Sequence, residues 1–289
     1  MTSLDESVRV ELRRRLPSKL SPSRASDFQQ CPKLFYYKSM LKLPSPSTVA
    51  TTTGTLAHFA FEKIFDHPRE ERVPEVAVPY VRQHWAEIVD KPDYAPLAAE
   101  IGPDGVESML VSAERHVVNW FSVERPHNFD PVERELYVSA RVGGVDVHGY
   151  IDRLDRVGDP GRYIISDYKT GKLPNDRFVE KTFFGMNVYS LVLEQMRGIT
   201  ATDLRLVFTL NGSRDDVRRQ PVTRGSIKST EAKVSAIWKA IVKSADKGCF
   251  EPSESVLCGW CQFQSICPAK NPSMDGVPVL DRDGNPAPA

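Results

Sequence analysis

The chain has 289 residues, of which 40% are hydrophobic and 26% are charged, and its formal net charge at pH 7 is zero. This composition excludes an intrinsically disordered chain, and the length suffices for the core of one large domain or two small ones. Zero net charge excludes binding of nucleic acid by an overall positive charge, although binding needs only a local basic surface. No segment holds the roughly 20 apolar residues of a membrane span, and no apolar signal follows Met1, so we expect a cytoplasmic protein.

The N-terminal part of the chain is predicted to be helical. Ser21 followed by Pro22 is typical of a helix N-cap and first helical position, so a helix is expected to begin here. Residues 1–20 before it are expected to form a flexible segment. After a loop rich in Pro, Ser and Thr, apolar residues recur at helical spacing over 54–65, which places His58 on a second helix.

A group of strands follows a helical insertion that we expect over about 67–130. Gly143-Gly144 between two alternating segments indicates a hairpin. Strands are expected at 136–138, 145–151, 163–169 and 204–210, and helices at 183–196 and 230–245. A strand, a helix and a strand in succession indicate a crossover connection and predict an α/β fold. The expected boundaries are a core over about 131–225, a single domain over 21–270 and a mobile tail over 271–289.

Four of the five cysteines bracket these strands. Cys258, Cys261 and Cys267 form a C-x2-C-x5-C group, and thiolates on so short a segment converge with little further loss of chain entropy. A fourth ligand has to come from elsewhere, and Cys31 is the natural candidate. Cys249 lies in an apolar context and is interpreted as a buried thiol. Reduced thiols without a metal, a tetrahedral zinc ion and an iron–sulfur cluster all fit this spacing.

Two aspartates and a lysine carry the strongest chemical signal. Asp167 and Lys169 project from one side of their predicted strand, about 7 Å apart at Cα, because side chains alternate along a strand. Asp152 ends the neighbouring strand, so its carboxylate is expected near Asp167. Adjacent carboxylates repel each other unless a cation lies between them, and such hard ligands suit Mg²⁺ or Mn²⁺. The pattern predicts metal-assisted phosphodiester hydrolysis, in which Lys169 orients or deprotonates water and stabilises charge.

These segments resemble the RecB-type branch of the PD-(D/E)XK nuclease superfamily. The resemblance rests on the segments GTLAH at 54–58, GYIDRLD at 149–155 and ISDYKTG at 165–171, which occur in family order within roughly 21–268. The cysteine bracket resembles the subset whose nuclease domain is tied together by a [4Fe-4S] cluster. That subset includes CRISPR-associated adaptation nucleases and stand-alone phage or bacterial exonucleases.

The resemblance implies a restriction-endonuclease-like core, with a mixed central sheet flanked by helices and an iron–sulfur clamp joining the N- and C-terminal segments. It implies catalytic roles for Asp152, Asp167, Lys169 and Tyr189, metal ligation by His58, Asp152, Asp167 and the backbone carbonyl of Tyr168, and cluster ligation by Cys31, Cys258, Cys261 and Cys267. The family's Gln-x3-Tyr element is matched only in part, because Gly185 stands at the glutamine position before Tyr189.

The function implied by the resemblance is that of a deoxyribonuclease dependent on Mg²⁺ or Mn²⁺. We expect an exonuclease that acts on single-stranded DNA or DNA ends in recombination, repair or phage DNA processing. Two alternatives remain open, a CRISPR adaptation-type nuclease that trims ends and a non-catalytic DNA-binding subunit of the same fold. The chain has no G-x4-G-K-[S/T] phosphate loop, so unwinding would need a separate helicase or recombination protein. No membrane partner is expected.

A second DNA-binding feature is suggested by basic and aromatic residues in the first helical region. The lysines there are interleaved with the aromatic residues Phe35, Tyr36 and Tyr37. This pattern fits a surface on which lysines bind phosphates and aromatic rings stack on the bases of a single strand. It fits equally a solvated basic surface above aromatic side chains of the core.

Overall fold

The computed structural model describes residues 3–158 and 161–287. Its helices are α1 (Ser3–Arg15), α2 (Pro22–Gln30), α3 (Pro32–Phe35), α4 (Val49–Lys63), α5 (Pro74–Ala77), α6 (Pro79–Ile88), α7 (Ala95–Val123), α8 (Asp176–Arg197) and α9 (Arg224–Lys247). Its strands are β1 (Glu133–Val142), β2 (Val145–Val157), β3 (Arg162–Lys169), β4 (Ala201–Phe208), β5 (Val217–Pro221), β6 (Val279–Leu280) and β7 (Pro286–Ala287). Among these helices, none is long and apolar enough to cross a membrane.

The first five strands form one mixed sheet in the order β1-β2-β3-β4-β5. β3 is antiparallel to β2 and parallel to β4, while β5 is antiparallel to β4. Helix α8 supplies the crossover that a parallel pair requires. This arrangement confirms the predicted α/β fold with a mixed sheet and flanking helices. β5 adds to the expected strands, because its segment VRRQP lacks the alternating apolar pattern by which a strand is recognised.

The described residues divide into two compact units. The first, which we name the terminal unit, contains residues from the ranges 1–45, 139–148 and 228–289. The second, which we name the sheet unit, contains residues from the ranges 46–138 and 149–227.

The sheet unit has a core between its helices and one face of the sheet. Side chains of α4, α6 and α7 form a single buried cluster with Tyr168 of β3 and Val207 of β4. Trp120 of α7, which is fully buried, packs against Phe61 of α4 with ring centroids 5.0 Å apart and against Tyr168 at 5.8 Å. Burial of these large rings stabilises the position of α4 relative to β3, by about 1.5–3 kcal/mol for each side chain.

The terminal unit contains ordered segments at both ends of the described chain. Residues 3–15, expected to be flexible, form α1, in which Leu12 is fully buried. Arg15 lies 2.7 Å from Asp281 in the segment expected to be a mobile tail, where β6 and β7 pair as a hairpin. Polar composition and terminal position, on which the expectation rested, do not report contacts such as that of Arg15 with Asp281.

The aromatic residues of the first helical region belong to the core of the terminal unit. Phe35, Tyr36 and Tyr37 are each no more than 2% exposed. Tyr36 and Phe35 stack on Phe250 with centroids 5.5 and 6.0 Å apart, and the Lys33 ammonium lies over the Tyr36 ring. Of the two interpretations of these rings, the structure supports side chains of the core, because a buried ring has no surface on which a base can stack.

Candidate active site

The two aspartates come together where β2 and β3 pair. The antiparallel register places Arg153 opposite Ser166. Asp152 precedes Arg153 on β2 and Asp167 follows Ser166 on β3, so the two aspartates occupy the adjoining positions of the two strands. Asp152 Oδ2 accepts a hydrogen bond from the backbone N–H of Tyr168 at 2.8 Å. The carboxylate of Asp152 is therefore held against β3, on which Asp167 lies.

Asp167 and Lys169 form an ion pair at the end of β3. Lys169 Nζ lies 2.5 Å from Asp167 Oδ2, as the alternation of side chains along a strand predicts. Asp167 is buried, and the Lys169 ammonium is the positive charge that compensates its carboxylate. A buried carboxylate without such a partner would be costly.

Helix α4 brings His58 to the same place. His58 Nε2 lies 3.1 Å from the backbone carbonyl oxygen of Tyr168, and His58 Nδ1 lies 3.4 Å from Asp152 Oδ2. A close approach between α4 and the segment after β3 makes this possible, because a Cβ at Gly54 would lie 3.1 Å from Thr170 Oγ1. The residue types and spacing predicted His58 on a helix, and the fold brings it within reach of both strands.

Glu135 of β1 joins this group, although no sequence motif indicated it. His58, Glu135 and Asp152 each offer a ligand atom, and these atoms lie within 4.8 Å of one another. Glu135 has a φ of 44°, in the left-handed region that residues other than glycine seldom adopt. Its position in the segment ERELYV resembles any acidic residue on a half-exposed strand, so sequence reasoning had no signal by which to select it.

The charges in the site perturb one another. Burial and the neighbouring Asp152 raise the pKa of Asp167 to about 6, against the opposing effect of Lys169. Partial desolvation, together with the charges of Asp152, Glu62 and Asp167, raises the pKa of Glu135 to about 7, although its side chain keeps contact with solvent. Such mutual repulsion among carboxylates is relieved when a cation binds between them.

The lysine is the counter-charge that the protein itself provides. Although burial favours the neutral amine, the adjacent Asp167 carboxylate holds the pKa of Lys169 above its ordinary value. Lys169 is therefore an ammonium at neutral pH. Of the two roles expected from the sequence, this charge favours stabilisation of an anion over removal of a proton from water.

An open cleft of about 620 Å³ lies beside these residues. His58, Glu62, Glu135 and Thr170 are among the residues that line it. This volume falls within the range of ordinary ligand sites, and its open form suits an extended substrate better than an enclosed small molecule.

Tyr189 of α8 packs against β2 close to the carboxylates. A Cβ at Gly149 would lie only 2.3 Å from Tyr189 Cε1, so the absence of a side chain at Gly149 makes room for the ring. Burial and the charges of Asp167 and Asp152 raise the pKa of Tyr189 to about 12. The phenol is therefore neutral and within electrostatic range of both aspartates.

A buried ionic network supports β3 from the face opposite to Asp167. Arg153 donates hydrogen bonds to both carboxylate oxygens of Glu124 at 2.7 and 2.9 Å, and to Asp155 at 3.0 Å. Arg153 also donates to the hydroxyl of Tyr168, and Arg205 lies 2.5 Å from Glu124. Although burial favours a protonated acid, Arg153 holds the pKa of Glu124 at about 2. The network fixes the side chain of Tyr168, whose backbone faces His58 and Asp152.

The four bracketing cysteines line one pocket in the terminal unit. Cys31, Cys258, Cys261 and Cys267 all contribute to its wall. Backbone N–H groups of Ser253 and Ser255 donate to the sulfurs of Cys31 and Cys258 at 3.3 and 3.4 Å. In the part of the chain that the structure describes, however, no three cysteine sulfurs lie within 4.8 Å of one another. The described sulfurs are therefore not close enough for three of them to share one ion, and the structure does not by itself support the expected [4Fe-4S] cluster.

Comparison with solved structures shows the fold at low sequence identity. The crystal structure of a protein from Eubacterium rectale, described as a "Putative exonuclease", is 14% identical and covers 98% of this chain and 95% of its own, with a TM-score of 0.54. The crystal structure of SSO0001 is 15% identical and covers 93% of this chain and 98% of its own, with a TM-score of 0.35. No curated protein matches this chain in sequence.

The family assignment comes from a family model. The model of the PD-(D/E)XK nuclease superfamily matches residues 19–268, which contain all the site residues described above. Nucleases of this superfamily use divalent metal ions, and the group of His58, Glu135 and Asp152 is a site at which such an ion could be held. The chain therefore belongs to the PD-(D/E)XK nuclease superfamily.

Proposed function

We propose that this chain is a divalent-metal-dependent deoxyribonuclease that hydrolyses phosphodiester bonds in single-stranded DNA or at DNA ends. One observation carries the proposal. His58, Asp152 and the pair of Asp167 and Lys169 converge around the backbone of Tyr168. A histidine, two carboxylates and a carbonyl oxygen are ligands that suit Mn²⁺ or Mg²⁺.

The distances fit such an ion. Ligands about 2.1 Å from an octahedral ion and at right angles to each other lie about 3 Å apart. His58 Nε2 and the carbonyl oxygen of Tyr168 are 3.1 Å apart, as adjacent ligands would be. Asp167, whose carboxylate pairs with Lys169 at 2.5 Å, would be a further ligand to the same ion.

The side chains would divide the work of hydrolysis. An ion held by His58, Asp152, Asp167 and the carbonyl of Tyr168 would supply an acidified water and neutralise charge on the phosphate. The Lys169 ammonium, kept charged by Asp167, stabilises the negative charge that develops on the phosphate oxygens. The neutral Tyr189 hydroxyl is available as a hydrogen-bond donor to the substrate.

Digestion of end-labelled linear and circular DNA with Mn²⁺ tests the activity. We expect the wild-type chain to degrade linear single strands, and Asp167→Asn to reduce cleavage by at least 100-fold. Asp203→Asn on the neighbouring strand β4 is the matched control and is expected to retain activity. Equal cleavage by the Asp167 variant and the wild type would remove the proposed site from consideration.

Metal binding gives a second test that does not need DNA. Carboxylates and histidine must lose protons before they bind a metal, so Mn²⁺ should raise the melting temperature more at pH 8 than at pH 5.5. At a concentration about 100 times Kd, the expected stabilisation is about 2.7 kcal/mol. Asp152→Asn keeps an acceptor for the N–H of Tyr168 and is expected to abolish the shift. A shift that the variant retains would exclude Asp152 as a ligand.

We further propose a place in the RecB-type branch, as a DNA end-processing nuclease of recombination, repair or phage DNA metabolism. The support is the order of the three motifs within the region that matches the superfamily. A separate helicase or recombination protein would supply single strands. An adaptation-type nuclease is distinguished by copurification with a CRISPR integrase, and a non-catalytic DNA-binding subunit is distinguished by binding without cleavage.

The pocket of the terminal unit is our proposed site for a [4Fe-4S] cluster. A tetrahedral zinc ion with thiolate bonds of about 2.3 Å would hold sulfurs about 3.8 Å apart, which is closer than any three cysteine sulfurs in the described ranges. A cubane cluster binds each thiolate to a separate iron, and backbone N–H donors to sulfur, such as those of Ser253 and Ser255, tune such clusters.

Iron analysis and colour test this assignment. Protein purified without oxygen should be brown and hold four irons per chain, the number that defines a [4Fe-4S] cluster. Cys261→Ser should lose colour and melting temperature together, whereas Cys249→Ser, outside the pocket, should change neither. Colourless protein that contains one zinc per chain would show that the site binds zinc and not an iron–sulfur cluster.

A further inference from the structure

Two tyrosines form an exposed aromatic pair on the sheet. Tyr137 of β1 and Tyr150 of β2 have ring centroids 5.2 Å apart, with an angle of 59° between the rings. They are 43% and 54% exposed, whereas Tyr168 and Trp120 in the same unit are buried. Large aromatic side chains exposed next to each other are characteristic of binding surfaces.

The pair stands beside the proposed metal ligands. Tyr150 lies two residues before Asp152 on β2, and Tyr137 lies two residues after Glu135 on β1. Two residues span about 7 Å along a strand. Asp152 and Glu135 in turn offer ligand atoms within 4.8 Å of each other and of His58. Along its strand, each tyrosine is thus about 7 Å from a residue that supplies a carboxylate of the site.

The chemistry of the surroundings selects the partner. The carboxylates of Glu135, Asp152 and Asp167 repel an acidic peptide or any other anion that lacks a counter-ion. A nucleobase is planar and uncharged, and every base has a face that stacks on an aromatic ring. A base paired within a duplex is already stacked on its neighbours, so a solvent-exposed aromatic ring favours an unpaired base.

We propose that Tyr137 and Tyr150 form a stacking platform for the unpaired nucleobase next to the phosphodiester bond that is cleaved. This inference rests on the proposed function and gives a physical reason for single-stranded substrate at that site. It assigns base stacking to Tyr137 and Tyr150 instead of Phe35, Tyr36 and Tyr37, whose burial excludes contact with bases.

Binding of single-stranded oligonucleotides with Ca²⁺ in place of Mn²⁺ tests the platform, because Ca²⁺ supplies a counter-ion to the carboxylates. Loss of one stacking contact is expected to weaken binding about 5- to 150-fold, so Tyr150→Ala and Tyr137→Ala should each fall in this range. Tyr150→Phe and Tyr137→Phe keep the ring and should bind within about 2-fold of the wild type. Ala variants that bind as tightly as the wild type would overturn the proposal.

The substrate provides the second half of the test. Oligonucleotides with a single abasic site, moved one position at a time, should show one position at which the wild type loses affinity and Tyr150→Ala does not. A 2-aminopurine at that position should change its fluorescence on binding to the wild type and to Tyr150→Phe, but not to Tyr150→Ala. The absence of any such position in the wild type would contradict the platform, whatever the folding of the variants.

Three further outcomes separate this inference from its alternatives. Cross-strand aromatic pairs also stabilise sheets. Ala variants with a lower melting temperature and unchanged affinity would therefore reduce the pair to a structural role. Wild-type protein that cleaves DNA with Mn²⁺ while the base test is negative would overturn the platform alone. Wild-type protein that binds an unpaired base but cleaves no DNA would instead contradict the proposed function.

Discussion

Lys169 Nζ and Asp167 Oδ2 lie 2.5 Å apart at the end of β3, where the lysine is the nearest positive charge to a buried carboxylate. The pair keeps each group ionised against the effect of burial. Lys169 raises the ionised fraction of Asp167, and Asp167 keeps Lys169 protonated. In the proposed function, the ion pair would prepare both a metal ligand and a stabiliser of anionic charge before substrate arrives.

Replacement of this lysine should affect turnover more than binding. Lys169→Met removes the ammonium and keeps most of the side-chain volume, and we expect cleavage at saturating Mn²⁺ and DNA to fall about 100- to 1,000-fold, as for other groups that stabilise developing charge. Lys172→Met, three residues further along the chain and exposed, should leave the rate unchanged. A Lys169 variant with the wild-type rate would contradict the assigned role.

The raised pKa of Glu135 predicts a pH dependence of stability without metal. Its pKa rises from an ordinary value of 4.5 to about 7, so the folded state favours the protonated acid. Its contribution to stability is complete below pH 4.5 and is lost as pH rises towards 7. Glu135→Gln stays neutral, so in EDTA it should melt at a higher temperature than the wild type at pH 8. The two should differ little at pH 4.5, and a pH-independent difference would contradict this origin.

The buried ionic network should be expensive to break. Glu124→Ala leaves Arg153 and Arg205 without their shared carboxylate, and removal of one partner from a buried pair costs about 3–5 kcal/mol. Glu100→Ala, at an exposed position of α7, should change the free energy of unfolding by less than about 0.5 kcal/mol. Denaturant unfolding measures both, and similar values for the two variants would show that the network contributes little.

A side chain at Gly149 should interfere with Tyr189. The added Cβ would lie 2.3 Å from Tyr189 Cε1, so Gly149→Ala is expected to cost about 1–3 kcal/mol of stability. Tyr189→Leu removes the ring and should reduce the cost of the alanine, which a double-mutant cycle measures as a coupling between the two positions. Strictly additive effects would mean that the ring moves aside without strain.

Much of the fold and part of the site followed from local patterns. Alternation along β3 is a property of any strand, so Asp167 and Lys169 had to share a side once that strand formed. The glycine pair 143–144 indicated the hairpin that joins β1 and β2, and both glycines have a positive φ. The terminal helix α1 escaped prediction because its contacts, such as that of Arg15 with Asp281, are far apart in sequence, and β5 escaped it because its segment lacks an alternating apolar pattern.

The residues of the motifs and their spacing along a strand are local properties, so the proposed chemistry of the chain could be inferred before its fold was known. The tertiary structure alone decided that Glu135 joins His58 and Asp152, that Phe35 and Tyr36 are buried, and that Tyr137 and Tyr150 stand exposed beside the carboxylates. Composition does not distinguish a ring in the core from a ring on the surface. Burial and proximity depend on which segments pack together, and that packing is a property of the whole chain.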